Sequence, residues 1–151
     1  MKVAILIGSE SDREVIERAN PFFEYFGIQF DLHVMSAHRN PSVVQEFSVN
    51  AEKNGYKMII AGAGMAAHLG GVVAAHTTLP VIGVPLAGSH LNGVDALYSM
   101  VQMPAGVPVA TMAIGSAGAR NAAIFAAQIL ALQDNTIAEK LKQFKAQGSK
   151  L

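Results

Sequence analysis

His38 and Arg39 stand side by side in Met35-Ser36-Ala37-His38-Arg39-Asn40-Pro41, directly after the apolar-alternating run Phe30-Asp31-Leu32-His33-Val34. An imidazole that titrates near neutrality next to a fixed cation suits proton transfer on an anionic substrate. Asn40-Pro41 has the form of a helix start, Asn40 as cap and Pro41 as first helical residue. The pair therefore belongs to a turn between a strand and a helix. Two exposed basic side chains in a capped turn would look the same, so the decision rests on whether other loops converge there.

Two other segments carry groups of the right kind. Gly8-Ser9-Glu10-Ser11-Asp12 precedes a helix whose free N–H groups could hold an anion, but Glu10 and Asp12 would repel a phosphate placed close by. A carboxylate beside two hydroxyls fits a ribose better, Asp12 accepting hydrogen bonds from its hydroxyls. Ser11-Asp12-Arg13-Glu14 also spells a capping box. Gly62-Ala63-Gly64-Met65-Ala66-Ala67 matches a G-x-G-x-x-A pattern, yet no acidic residue follows about 20 positions on to hold a dinucleotide ribose. It reads instead as a floor of small residues that lets a flat ligand approach the backbone. His68 lies one turn further and could face the same cleft. His33 is expected at a partly exposed strand position, His76 near a helix end where it complements the dipole, and His90 in a loop. No two histidines have metal-ligand spacing with a carboxylate, so no metal is expected.

Short apolar runs alternating with helical patterns supply the frame. Strands are expected at residues 2–8, 30–34, 58–61, 80–84 and 107–114. Helices are expected from 11 to about 26, with a kink at Pro21 and a stop at Gly27, then at 41–54, 66–77, 93–101, 117–132 and 136–147. Residues 62–64 read as a glycine-rich turn. Strands that are apolar throughout, each followed by a helix, imply a parallel sheet covered on both faces. Right-handed crossovers then give an α/β, flavodoxin-like, doubly wound three-layer sandwich, with ligands outside the carboxyl ends of the strands. The three polar loops, 9–12, 36–39 and 62–69, all fall there.

The composition bounds the rest. A chain of 151 residues fits a single domain, 1–151, its last helix (about 136–147) lying at the periphery. Eleven basic residues balance eleven acidic ones, which argues against nucleic acid as a partner. The absence of cysteine excludes disulfides and thiolate chemistry and fits a cytoplasmic enzyme. The first eight residues are too short an apolar run for a signal peptide, and Arg120, His76 and Pro80 interrupt the candidate membrane spans. With 51% hydrophobic and 15% charged residues the chain is apolar for a soluble protein, which suggests subunit contacts. In 117–132 the polar side chains Arg120, Asn121 and Gln128 fall within a sector of about 100°, so most of that helix is expected to be covered by another subunit in an obligate oligomer, the alternative being a central helix in one large core.

The motifs resemble a specific family in order along nearly the whole chain. Gly-Ser-Glu-Ser-Asp at 8–12, Ser-Ala-His-Arg at 36–39, Ala-Gly-Ala-Gly at 61–64, Ala-Ala-His-Leu at 66–69, Pro-Val-Ile-Gly-Val-Pro at 80–85, Val-Gln-Met-Pro at 101–104 and Gly-Val-Pro-Val-Ala-Thr at 106–111 resemble the carboxyaminoimidazole ribonucleotide mutases of purine biosynthesis. The resemblance implies a carboxyl shift from an exocyclic nitrogen to a ring carbon, through trapped carbon dioxide and without a cofactor. It implies His38 as general acid and base, and Arg39, Ser11 and Ser36 on the phosphate. Asp12 would hold the ribose, and Ser9, Ala63 and Gly64 would line the carboxylate pocket. Ala37, Ala66, His68 and Leu69 would complete the substrate site. It implies a homo-octamer as well. Met65, Gly70, Arg13 and Asn40 depart from the usual glycine, proline, aromatic and threonine; Met65 is expected to narrow the carbon dioxide pocket and Gly70 to loosen the helix start.

Three alternatives remain. Aminoimidazole ribonucleotide carboxylases, which use free carbon dioxide, usually carry lysine at the Arg39 position and lack the histidine at 68. A flavin mononucleotide carrier would share the fold but expects a first loop without acids. A nicotinamide dehydrogenase would rest on residues 62–67 alone.

Overall fold

The computed structural model describes residues 1–151. Five parallel strands form the sheet in the order β2-β1-β3-β4-β5. They are β1 (Lys2–Ile7), β2 (Gln29–Val34), β3 (Tyr56–Gly64), β4 (Val81–Leu86) and β5 (Ala110–Thr111). The helices are α1 (Arg13–Ile16), α2 (Asn20–Phe26), α3 (Pro41–Asn50), α4 (Leu69–His76), α5 (Val94–Val101), α6 (Ser116–Leu130) and α7 (Asn135–Ala146). This is the flavodoxin-like order, and it covers both faces of the sheet.

Alternation along the strands explains the two faces. Val3, Ile5 and Ile7 of β1 pack with Phe23, Phe26, Ile60, Ile82, Ala123 and Phe144. Ala4 and Leu6 pack the other way, with Val44, Ile59, Val73 and Met100. The first core is closed by α1, α2, α6 and α7, the second by α3, α4 and α5. The chain leaves β1 over one face to reach β2 and returns over the other to β3. The loops after β1 and β3 therefore diverge and leave a crevice at the carboxyl ends of these strands.

Several local expectations change. The first helical segment is broken: α1 ends at Ile16 and a 3-10 turn over Glu17–Ala19 leads into α2, where Pro21 sits in the first turn. Proline has no N–H to continue the ladder, so the expected kink takes the form of a tightened turn. Gly27 ends α2 in the left-handed region, φ 72°, with the Ile28 N–H donating to the Phe23 carbonyl. The capping box at Ser11 does not form: Ser9 caps a 3-10 turn over Glu10–Asp12, and the Glu14 carboxylate pairs with Arg18.

Residues 62–64 are strand rather than turn, pairing with Val84, Pro85 and Leu86 of β4. The glycine there answers to close packing, since a Cβ on Gly62 would lie 2.7 Å from Cδ1 of Ile16. The turn comes later, and α4 starts at Leu69, with buried Gly70 in its first turn, where an added Cβ would lie 3.5 Å from Val109 Cγ1, an ordinary contact. The fifth strand shrinks to two residues, because Pro85 in β4 and Pro108 beside β5 have no N–H to give to a ladder.

The apolar helix at 117–132 is satisfied largely within its own chain. Gly118, Ala119, Ala122, Ala123, Ala126, Ala127 and Leu130 of α6 are all buried, while Arg120, Asn121 and Gln128 face solvent. The subunit cover expected for this helix is not what buries these residues; the chain's own core does. The last helix lies outside α2 and α6 yet seals them: Phe144 is fully buried, with ring centroids 5.5–6.1 Å from Phe26, Tyr25 and Phe22. No helix is long and apolar enough to cross a membrane.

Candidate active site

A cleft of about 480 Å³ opens at the carboxyl end of the sheet, between the loops that follow β1, β2, β3 and β4. The backbone pins these loops to the strands: Gly8 N–H donates to Gly62 O at 3.2 Å, and Met35 N–H to Ile7 O at 2.9 Å. All twelve residues singled out from the sequence line this one cleft: Ser9, Ser11, Asp12, Ser36, Ala37, His38, Arg39, Ala63, Gly64, Ala66, His68 and Leu69. Gly8, Met65 and Gly88 complete it. Gly88 had no chemical signal in the sequence, and its position just past the fourth strand was the one clue to it.

The histidine-arginine turn is held by its neighbours. Asn40 occupies the position before α3, but its side chain does not cap the helix; Oδ1 accepts instead from the Ser36 N–H at 2.7 Å. The Asn40 N–H returns a bond to Ser36 O at 3.0 Å, and the Arg39 N–H donates to Ser36 Oγ at 3.3 Å. The cap residue is spent on closing the loop on itself, which presents His38 and Arg39 outward. Arg39 forms no ion pair within the chain, so its guanidinium is free for an anion.

His38 Nε2 lies 2.8 Å from His68 Nδ1, the rings perpendicular with centroids 4.9 Å apart. One nitrogen of this contact must carry a hydrogen and the other a lone pair, so the contact cannot stand with both rings cationic. His68 is therefore not one turn into a helix; it sits at the N-terminal boundary of α4, where the turn after β3 brings it to His38.

On the opposite wall, Ser11 Oγ lies 2.9 Å from Ser9 Oγ, and Asp12 N–H donates to Ser9 O at 3.1 Å. Burial raises the Asp12 carboxyl above its ordinary value, partly offset by a backbone hydrogen bond from Ser9. Glu10 does not line the cleft; Arg13 binds it and holds its carboxyl below the usual range through that hydrogen bond. Asp12 is thus the one acidic group facing a ligand.

The other histidines lie elsewhere. His33 is half-buried, 3.2 Å from the Tyr56 hydroxyl and packed at a tilt of 56° against Phe47, His76 ends α4 in solvent, and His90 is exposed in the loop before α5. No three His, Cys, Asp or Glu side chains group closely enough to hold a metal ion.

Fold and site together define a class: a doubly wound α/β protein whose topological switch point carries an imidazole pair, a free guanidinium and a carboxylate with two hydroxyls. The AIR carboxylase family model matches residues 2–150, and the chain belongs to that family. It is 51% identical to the N5-carboxyaminoimidazole ribonucleotide mutase of Haemophilus influenzae over 95% of this chain and 88% of the relative. It is 52% identical to the protein of the same name from Thermotoga maritima, over 95% of this chain and 83% of the relative. The crystal structure of Treponema denticola PurE superposes with a TM-score of 0.88 at 30% identity, covering 98% of this chain and 91% of that one.

Proposed function

We propose that this chain is an isomerase that performs the reaction its relatives are named for, moving the carboxyl group of N5-carboxyaminoimidazole ribonucleotide from the exocyclic nitrogen to a ring carbon in purine biosynthesis. The observation that carries this reading is the convergence on one cleft of His38 and Arg39 from the loop after β2, Asp12 from the loop after β1 and His68 from the loop after β3. His38 gives a proton to the carbamate nitrogen, the N–C bond breaks, and carbon dioxide and the neutral amine result. The electron-rich ring carbon attacks the carbon dioxide to form the new C–C bond, and the ring proton returns to the same imidazole. One imidazole serves both steps, because the proton lent is recovered. Arg39 takes the phosphate with the hydroxyls of Ser11 and Ser36, and Asp12 the ribose hydroxyls. Ser9 and the backbone at Ala63 and Gly64 face the carboxylate. His68 contacts His38 and stands with Ala37, Ala66 and Leu69 around the base. No cofactor enters these steps.

The rival within the family is carboxylation by free carbon dioxide; Arg39 and His68 favour the mutase. Turnover of the carbamate in buffer stripped of carbon dioxide and bicarbonate separates the two. Product should form at an undiminished rate, and product that appears only on adding bicarbonate would overturn the assignment. A flavin carrier is disfavoured by Asp12 in the first loop. The enzyme works in the cytoplasm as a homo-oligomer, an octamer by the resemblance. Exposed Leu91, Val94, Tyr98 and Val101, spaced along one side of α5 and the turn before it, support subunit contact.

A further inference from the structure

Glu10 stands between Ser9 and Ser11, and both of those residues line the cleft. The peptide bonds hold its Cα about 3.8 Å from that of each neighbour. A carboxylate free to swing from this position comes within a Debye length, about 10 Å at 0.1 M salt, of an anion held at Ser11. Asp12 answers to neutral ribose hydroxyls, whereas a second bare carboxylate only opposes a phosphate. The loop therefore carries a charge for which the anion subsite has no use.

The fold supplies a partner for that charge. Glu10–Asp12 is a 3-10 turn that runs directly into α1, so Glu10 and Arg13, three positions apart, share one side of it. Arg13 Nε donates to Glu10 Oε1 and Nη2 to Glu10 Oε2, the latter at 3.1 Å, so a single fork takes both carboxylate oxygens. Nη1 reaches Glu17 Oε1 at 3.4 Å, one turn further on. The hydrogen bond from Arg13 is what holds the Glu10 carboxyl below its ordinary range. Neither Glu10 nor Arg13 lines the cleft. The side chains are 66% and 38% exposed, and a surface ion pair of this kind contributes little to folding. Its place beside the anion subsite gives it another use.

We propose that Arg13 is a positioning residue for substrate binding: it holds the Glu10 carboxylate outside the cleft and cancels its charge, so that the phosphate meets Arg39 unopposed. This rests on the mutase reading, in which Arg39, Ser11 and Ser36 take the phosphate. The need for Arg13 exists only while residue 10 is acidic. With a neutral side chain at 10, an uncharged residue at 13 is harmless, so the two positions act as one unit. Proton transfer at His38 lies outside that unit, and the effect belongs to binding.

Steady-state turnover of the carbamate by wild type, Arg13→Ala and the double variant Glu10→Gln with Arg13→Ala tests the pair. In about 0.01 M salt, where screening sets in only beyond about 30 Å, Arg13→Ala should raise KM about three- to five-fold and leave kcat within about two-fold. The rise should vanish in about 1 M salt, where the screening length is about 3 Å. The double variant should return KM to the wild-type value at both salt concentrations. An unchanged KM for Arg13→Ala in low salt overturns the proposal. A rise that survives high salt, or that the double variant retains, overturns it too, because Arg13 would then act by shaping the loop. Calorimetry with ribose 5-phosphate in low salt separates the masking role from the reading beneath it. If Arg39→Ala binds that probe as wild type does, the phosphate assignment falls. If Arg39→Ala binds weakly while Arg13→Ala matches wild type, the masking role alone falls. A wild type that converts no carbamate sinks the mutase reading, and the calorimetric comparison still decides the role of Arg13.

Discussion

His38 and His68 lie thirty positions apart in the chain and meet at 2.8 Å, and the consequences of that contact are measurable one side chain at a time. His38→Asn should lower turnover by about 10²–10⁴-fold, the worth of a general acid–base, with nucleotide affinity kept; near-normal turnover would remove it from proton transfer. Arg39→Ala should weaken nucleotide binding by about 1.5–3 kcal/mol, the scale of hydrogen bonds to a charged group, read by calorimetry. Asp12 must be ionised to accept from ribose hydroxyls, and burial raises its pKa. Affinity should therefore begin to fall on the acid side at a higher pH than an ordinary aspartate, near 3.9, would allow. Asp12→Asn should abolish that acid limb, and a limb that survives the substitution belongs to another group.

Where elements join, the side chains serve stability. The Tyr56 hydroxyl at the start of β3 donates to Asp31 Oδ2 of β2 at 2.6 Å, and Lys2 of β1 pairs with the same carboxylate, tying three strands together. Burial, then the bond to Asp31, pushes the Tyr56 phenol up to about 12. Between about 10, where an unfolded tyrosine ionises, and about 12 the unfolded chain releases a proton that the folded one keeps. Stability should therefore fall as pH rises through that window, and Tyr56→Phe should remove this part of the loss in urea titrations across it. At the other end of the sheet, a Cβ on Gly118 of α6 would come 1.7 Å from the backbone oxygen of Ala113. Backbone cannot yield as a flexible side chain can, so Gly118→Ala should cost more than about 3 kcal/mol by the same titration. A change within about 0.5 kcal/mol, the usual range for surface substitutions, would mean the helix shifts freely.

For the molecule as a whole, charge and surface point toward association rather than steering. Equal numbers of acidic and basic residues leave no net field, and the guanidinium that lines the cleft, Arg39, is a local charge. The alanine-rich helix is largely buried in its own chain, while Leu91, Val94, Tyr98 and Val101 form a run of exposed apolar side chains along α5 and the turn before it. Light scattering should return the mass of eight 15.9 kDa chains, and Tyr98→Glu on α5 should lower it. A monomer mass for the unaltered protein would overturn the octamer.

Apolar runs and their spacing were enough to assign the parallel α/β class and its helices, because burial on two faces demands strands that are apolar throughout. The chemistry-bearing loops were legible too, as each interrupts the apolar pattern where a strand ends. Local signals failed where a distant neighbour decided the outcome. Residues 62–64 looked like a turn and are strand, because glycine there admits Ile16. Asn40 looked like a cap and instead ties down Ser36. The last strand was cut short in part by Pro85, which lies on the strand beside it. The meeting of His38 with His68, and the left-handed conformation of Met65 between them and β3, depend on how β3 ends against β4. Periodicity is a property of a segment, whereas these contacts join residues that only the folding of the sheet brings together.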